Sequence, residues 1–409
     1  MKTTKQATIL RTPQKYLGAK GLILFISLMG MFIPLSIDLY LPAMPTMAAY
    51  FRTTVSLVNV TLLAFYFFFA VGIILCGPLS DKYGRKPVLV LCLLFYIAGS
   101  FACAAAGSIY QLILFRVVQS LGAGGVMAIS TALVKDCFSG TLKSKVLAVV
   151  QAMGVLAPMI APIAGAAILQ VAGWRETFLV LAGIGILTLF AALLFQETLP
   201  KPERYSGSLG GALIRLLVVG KNVGFSTFLL IVAMLAAPYM AYITVSSYIY
   251  QNTFGLNAQT YSYYFAVNSA LAVLGPAIYI YAIGKLPART FSWCCFAVSL
   301  VSGFCVLFLG SHSPLLFLLS FLPFTLIEGA IRPFSTNILL DQQSEYIGSA
   351  SSLINAVHTI LGSIGMAMGS LAWTNMIHGL GIIIISCTAI AMIIWIVLLR
   401  SKVTLKGLM

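Results

Sequence analysis

The chain has 409 residues, 60% hydrophobic and 8% charged, with 24 Lys and Arg against 9 Asp and Glu for a formal net charge of +15. A mean hydropathy of +1.03 and an apolar content above the roughly 45–50% usual in soluble domains exclude a water-soluble globular protein. The eight cysteines (76, 92, 103, 137, 294, 295, 305 and 387) have no C-x-x-C and no metal-ligand spacing, so they read as small hydrophobes and no metal site is expected.

Twelve apolar runs follow in chain order: 21–45, 57–79, 87–106, 110–134, 146–171, 176–196, 223–250, 258–283, 289–309, 314–339, 347–373 and 377–399. Each is long enough to cross a ~30 Å hydrocarbon core as a helix, and none alternates as a barrel strand would. They are numbered spans 1 to 12. Span 1 follows a basic stretch, as a signal peptide would, but it is too long for an h-region and leads into further spans, so it reads as the first crossing. The largest interruption, 197–222, contains ETLPKPERYSGSLGG and then a basic, moderately apolar segment. It divides the chain into an N-terminal half (21–196) and a C-terminal half (223–400), flanked by a terminal segment (1–20) and a tail (401–409).

If both termini share one side, that side holds 20 of the 24 Lys and Arg, leaving Arg52 and Arg175 opposite and Arg116 and Arg332 inside spans. The positive-inside rule then makes both termini cytoplasmic. The same placement accounts for the net charge without a nucleic acid partner. No Walker loop, no set of nucleophile, base and orienting acid and no metal cluster can be assembled from the sequence, so ATP hydrolysis, an enzyme and a cofactor are not expected.

A repeat runs across the central interruption. Spans 2 and 3 are joined by GPLSDKYGRK (77–86) and spans 8 and 9 by the degenerate GKLPAR (284–289), while span 4 ends in LVKD at Asp136 and span 10 in ILLD at Asp341. Two parallel six-helix halves usually place a substrate cavity at their interface near the bilayer midplane.

In the 77–86 stretch, read as a loop, Gly77 and Gly84 supply the close approach and backbone angles of a tight turn. Its cations, Lys86 among them, hold the topology. Asp81 can accept hydrogen bonds from Arg85 or from a helix N-terminus, and Asp136 can extend the cluster.

Four charges fall within spans, where each costs about 2.5–3.5 kcal/mol at a helix centre on insertion scales and so faces a cavity or a partner. Asp38, in the second half of span 1, is the candidate proton-exchanging carboxyl, because an acid that is alternately dry and wetted can change protonation; the alternative is a cap or interface acid. Arg116, with Gln119 nearby, either tunes the proton site or ties span 4 to span 1. Glu328 and Arg332 are spaced i, i+4 and can pair directly, which leaves a self-neutralised structural pair and a functional pair equally open. His358 is a lone histidine in span 11, a proton relay or a satisfied core residue. Span 5 carries Gly154, Pro158, Pro162 and Gly165, with prolines that bend the helix and small residues that permit close packing. Tyr40, Tyr66, Gln119, Tyr239, Tyr242, Asn268 and His358 are the candidate substrate contacts. Aromatic walls with few fixed charges suit amphipathic or planar organic molecules; in the opposing reading most of these rings, with Tyr248 and Tyr250, face lipid or form interfacial belts.

GPLSDKYGRK, with IDLYLPAMP (37–45), FRVVQSLGAGG (115–125) and LAPMIAPIAG (156–165), resembles the major facilitator superfamily and, within it, the Bcr/CflA branch of drug:proton antiporters. The resemblance covers essentially the whole chain. It implies an all-α membrane protein of twelve helices in two pseudo-symmetric halves, a monomer in a bacterial-type inner membrane that exchanges protons for small organic molecules. It also implies that Gly77, Asp81, Gly84, Arg85, Lys86 and Asp136 latch the cytoplasmic ends together when the cavity faces outward, and that span 5 carries the antiporter motif. The chain departs from the commonest form of that motif in having Gly165-Ala166 in place of Gly-Gly, and Glu328 with Arg332 is not part of the branch pattern. Export of a native metabolite such as a siderophore or nucleoside is an alternative cargo, and a passive facilitator or transporter-like receptor an alternative mechanism.

Overall fold

The computed structural model describes residues 14–204, 209–283, 285–342, 347–401, 403 and 405. Of the sequence features above, Lys2, Lys5, Arg11, Gly284, Lys402 and Lys406 lie outside the described residues, as do the side chains of Lys143, Lys145 and Arg215. The apolar runs fold as helical spans: Gly18–Tyr50, Val55–Tyr83, Arg85–Ala105, Ile109–Cys137, Gly140–Val171, Trp174–Leu194, Val223–Thr253, Ala258–Ala282, Ala288–Leu309, Pro314–Asp341, Ile347–Gly369 and Met376–Arg400. A helix at Leu209–Gly220 stands between spans 6 and 7.

Each even-numbered span begins at the end away from the basic loops, and a side chain caps it there. Thr54, Ser108, Asn257, Ser313 and Asn375 accept from first-turn N–H groups of spans 2, 4, 8, 10 and 12, and Glu176 of span 6 reaches back to the Gly173 N–H. Such caps contribute about 1 kcal/mol each.

Prolines set where spans 1, 7 and 8 break. A proline lacks the N–H that would bond the carbonyl four residues earlier. Regular helix stops at Gly30 before Pro34, at Asp38 before Pro42, at Met234 before Pro238 and at Ala272 before Pro276. Asp38 is thus the last residue of a helical segment, followed by a 3-10 turn at Leu41–Ala43. Span 7 ends in a wide turn at Ile249–Thr253.

The two halves repeat their packing. A Cβ on Gly72 of span 2 would lie 2.7 Å from the Leu121 carbonyl oxygen of span 4, and one on Gly275 of span 8 would lie 2.6 Å from the Gly329 carbonyl carbon of span 10. Likewise a Cβ on Gly165 of span 5 would overlap the Leu39 carbonyl of span 1, as one on Gly365 of span 11 would overlap that of Ala237 in span 7. Small residues at these crossings let backbones meet, which is how helices associate where lipid removes the hydrophobic drive. Spans 1 to 6 form one half and spans 7 to 12 the other, the twelve-helix, two-half architecture expected.

The stretch 77–86 is not a loop. Span 2 stays helical to Tyr83, span 3 begins at Arg85, and Gly84 alone joins them at φ 105°. Gly77 lies inside span 2, and a Cβ there would meet nothing within 4 Å. It makes neither the turn nor the close approach expected of it. Gly154 of span 5 likewise has open space around it, in contrast to Gly165.

Candidate functional site

The charged cluster at the basic end is built around Gly84. A Cβ there would come within 2.5 Å of Glu197 Oε2 and 2.7 Å of Arg204 Nη2, so glycine is required by both φ and space. Buried Arg85 donates from Nε to Asp136 Oδ2 (2.9 Å) and from Nη1 to Ser80 Oγ (2.7 Å) and to Asp81 Oδ1. Glu197, which follows span 6 and was not singled out from the sequence, accepts from the Arg85 and Lys86 main-chain N–H groups (3.0 Å each), satisfying the first turn of span 3. Lys86 Nζ donates to the Leu193 carbonyl at the end of span 6 (2.7 Å), and Arg204 lies 3.8 Å from Glu197. Three cations and three carboxylates thereby staple spans 2, 3, 4 and 6 together. All belong to the N-terminal half or the segment just after it. Asp341, the repeat counterpart of Asp136, is exposed, as is Arg289.

Arg116 is wholly buried, its guanidinium carbon 4.1 Å from the Phe65 ring centroid, 4.9 Å from that of Tyr40 and 5.7 Å from that of Phe178. Nη1 donates to the Ser36 carbonyl of span 1 (3.0 Å) and to Gln119 Oε1 (2.7 Å), while Nε and Nη2 have no partner. Gln119 passes the chain on to Ser100 of span 3 (2.8 Å), and the Tyr40 hydroxyl pairs with Thr61 of span 2. Arg116 therefore ties span 4 to span 1, holding its charge by aromatic faces and main-chain oxygen. Tyr40 and Gln119 sit inside this half with no exposed surface, so neither lies on an open wall in this structure.

Asp38 is 4% exposed and, among the described residues, makes no ion pair. It is a buried acid at a helix break, within electrostatic range of Tyr239 and Tyr261 of the opposite half.

Across the seam, Glu328 pairs with Arg332 at 3.5 Å. The Arg332 side chain is 55% exposed although it lies well inside span 10. Its electrostatic neighbours are Tyr66 of span 2, Tyr239 of span 7 and His358 of span 11, so that exposure belongs to space between the halves rather than to the lipid face. Tyr66 itself reaches the other half: a Cβ on Gly362 of span 11 would be 3.0 Å from its ring. His358 is buried with Nδ1 unpartnered, unlike a satisfied core histidine. Asn268 is fully buried, accepting from Thr325 (2.9 Å) with its amide nitrogen unpaired.

The span 7 tyrosines do not form a lipid-facing belt. Tyr242, Tyr248 and Tyr250 are all 1% exposed or less, and Tyr242 stacks on Phe321 at 4.1 Å between centroids. Span 7 lies at the seam and is covered on nearly every face.

The halves are hydrogen-bonded at the end away from the basic loops. Gln251 donates to the Pro42 carbonyl (3.0 Å), Ser262 to the Pro162 carbonyl (2.9 Å), Tyr248 to the Met44 carbonyl (3.5 Å) and Ser56 to the Ser370 carbonyl, while Gln170 meets Gln259 at 3.5 Å. Four of these five use main-chain oxygens, two of them in the broken segment of span 1. Sequence reading took Tyr248 only as a ring and missed the other four donors, Gln251, Ser262, Ser56 and Gln170, because each meets its acceptor only where the two halves pack. At the basic end no hydrogen bond or ion pair joins the halves among the described residues.

Residues 22–366 match the family model described as Major Facilitator Superfamily. The chain belongs to the major facilitator superfamily. This superfamily member is 29% identical over 349 residues to an uncharacterised MFS-type transporter of Bacillus subtilis, YdgK, covering 84% of this chain and 87% of that one. It is 26% identical over 359 residues to the bicyclomycin resistance protein homolog of Haemophilus influenzae, covering 85% and 88%. The fold matches the peptide transporter POT in complex with sulfate at a TM-score of 0.74, with 14% identity over 95% of this chain and 97% of that one. It also matches the xylose transporter XylE from E. coli in a partially occluded inward open conformation, at a TM-score of 0.70 with 13% identity over 94% and 98%. It is therefore a multi-pass membrane protein with the fold of small-molecule transporters, and the bicyclomycin-resistance likeness carried by its motifs extends to its relatives.

Proposed function

We propose that this superfamily member exports small amphipathic organic molecules, drugs among them, across an inner membrane in exchange for protons. Both termini are cytoplasmic, and a monomer carries the cycle. The halves 21–196 and 223–400 rock about the seam, and the described arrangement, hydrogen-bonded across the far end, is the state open to the cytoplasm. In the opposite state the basic ends meet, and the Asp81, Arg85 and Asp136 cluster latches them.

The observation that carries this reading is Asp38: a buried carboxyl at a helix break on the seam with no ion-pair partner among the described residues. Glu328 has Arg332 beside it. An unpaired acid exchanges its proton with whichever side wets it, and substrate and proton then compete for one open cavity. The cation Arg116 stands apart, bonded to span 1 main chain, and shapes the segment that carries Asp38. Tyr66, Tyr239 and the Glu328 and Arg332 pair line the space offered to cargo; the carboxylate and guanidinium give polar anchors and the rings flat apolar contact. Support for the cargo class comes from relatives named for resistance: the bicyclomycin resistance protein homolog of Haemophilus influenzae and a chloramphenicol resistance protein of Pseudomonas aeruginosa, the latter 33% identical over 171 residues.

One inward proton releases ~2.3 kcal/mol per 100 mV and ~1.4 kcal/mol per pH unit, together a several-hundredfold gradient of an uncharged cargo. The test is uphill efflux of a compound panel from proteoliposomes with an imposed proton gradient. Efflux is expected to collapse with a protonophore and in Asp38→Asn. Uphill export that persists in both removes proton coupling from the account.

A further inference from the structure

Spans 2 and 3 form a helical hairpin turning at Gly84 alone, so residues equally far from the turn lie opposite one another. Cys76 and Cys92 are each eight residues from Gly84. Their sulfurs are 3.6 Å apart, with the Cys92 thiol donating to Cys76 Sγ. Span 4 makes the room: a Cβ on Gly125 would overlap Cys92 Sγ and lie 3.0 Å from Cys76 Sγ, so the two thiols fill the space a side chain would take. Cys92 is 4% exposed, whereas Cys76 is partly accessible. Among the described residues no other two thiols are in hydrogen-bond contact.

We propose that Cys76 and Cys92 are a redox-active dithiol, a modification site that a hydroperoxide closes to a disulfide between spans 2 and 3. The Cys92 S–H bond to Cys76 Sγ stabilises negative charge on Cys76, which is also the more accessible of the two. Its sulfur attacks the hydroperoxide, the O–O bond breaks, and Cys76 becomes a sulfenic acid while its proton joins the departing oxygen, which leaves as an alcohol, or as water from hydrogen peroxide. Cys92 sulfur then attacks the sulfenic sulfur; hydroxide departs and takes the Cys92 proton as water. Two thiols lose two electrons and two protons, and the peroxide takes up both. Bonding needs the sulfurs to close from 3.6 Å to about 2.05 Å. The link closes a ring from residue 76 to residue 92 that encloses Asp81, Gly84, Arg85 and Lys86, so oxidation grips the hairpin that carries the charged cluster.

The test uses the full chain in membrane vesicles, treated with hydrogen peroxide, quenched with N-ethylmaleimide, denatured and digested with trypsin. Lys82 and Arg85 lie between the two cysteines, so only a disulfide keeps their peptides joined. The joined species is expected to form about tenfold faster than any other cysteine linkage and to vanish with dithiothreitol. In Cys92→Ser the sulfenic acid of Cys76 accumulates and is trapped by dimedone, and Gly125→Ala slows linkage. Oxidation of exposed Cys294 shows that peroxide reached the protein. If Cys294 is oxidised while the two peptides stay separate, or if Cys92→Ser yields no dimedone adduct at Cys76, the proposal is wrong.

Discussion

Removing the donors that pin the far end should move the conformational equilibrium by a calculable amount. Gln251 spans the halves with one hydrogen bond, to the Pro42 carbonyl, and Ser262 with another, to the Pro162 carbonyl. The second bond of Gln251, to Ser247 Oγ at 2.8 Å, and that of Ser262, to Ala258, stay within one half. Each inter-half bond is worth about 1 kcal/mol net. The two share no partner, so their losses should nearly add in Gln251→Ala with Ser262→Ala. About 2 kcal/mol is roughly a 30-fold shift toward the far-end-open state. A minor state populated at about 1% would then rise to about a quarter of the molecules. Double electron–electron resonance between labels at Gly107 and His312, exposed on opposite halves at the far end, reads this directly as a second, longer distance. Ser247→Ala is the control, because it removes only the bond inside span 7. An unchanged distance distribution in the double variant, or an equal shift in the control, would refute the assignment of these bonds as the far-end fastening.

Other outcomes follow from single sites. Asp38→Asn should reduce proton-driven accumulation from several-hundredfold to none while substrate still equilibrates downhill; retained accumulation in proteoliposomes counts against Asp38. Gly84→Ala should cost about 1–2 kcal/mol from the positive φ alone, with further strain where its Cβ meets Glu197, and lower the melting temperature in detergent by a few degrees; an unshifted melt contradicts the geometry. Arg332→Cys should react with a membrane-impermeant thiol reagent added at the basic side and not from the far side. Ser335→Cys, one turn away and fully buried, should react far more slowly, and equal rates would place Arg332 outside the cavity. Glu197→Gln should weaken the start of span 3 by about 1 kcal/mol, as loss of a helix-terminal anion does, seen as faster hydrogen exchange at Arg85 and Lys86 than in the parent.

Much of this architecture is readable in the residue string because lipid demands long apolar helices and prolines delete hydrogen bonds at a fixed offset. The breaks at Gly30, Asp38, Met234 and Ala272 all stand four residues before a proline. Arg85 with Asp81 is likewise a local, i+4 relation. Glu197 was invisible because it meets Arg85 only through the packing of spans 3 and 6, and no local pattern announces a partner 112 residues away. The span 7 tyrosines misled for a related reason: composition gives a helix its rings but not the neighbours that cover them. The repeat was visible at Asp136 and Asp341, yet only the first is engaged, since the C-terminal half has no arginine placed as Arg85 is.

The distribution of broken helices has a mechanical consequence. Spans 6, 9 and 12 are continuous and free of proline, and span 3 has one only in its first turn, at Pro87. These four stand on the flanks, 3 against 6 and 9 against 12. Spans 1 and 7, jointed at their prolines, are the most buried of the spans and run along the middle. The molecule is stiff at these outer shoulders and jointed in the helices between them, so deformation concentrates at the seam between the halves.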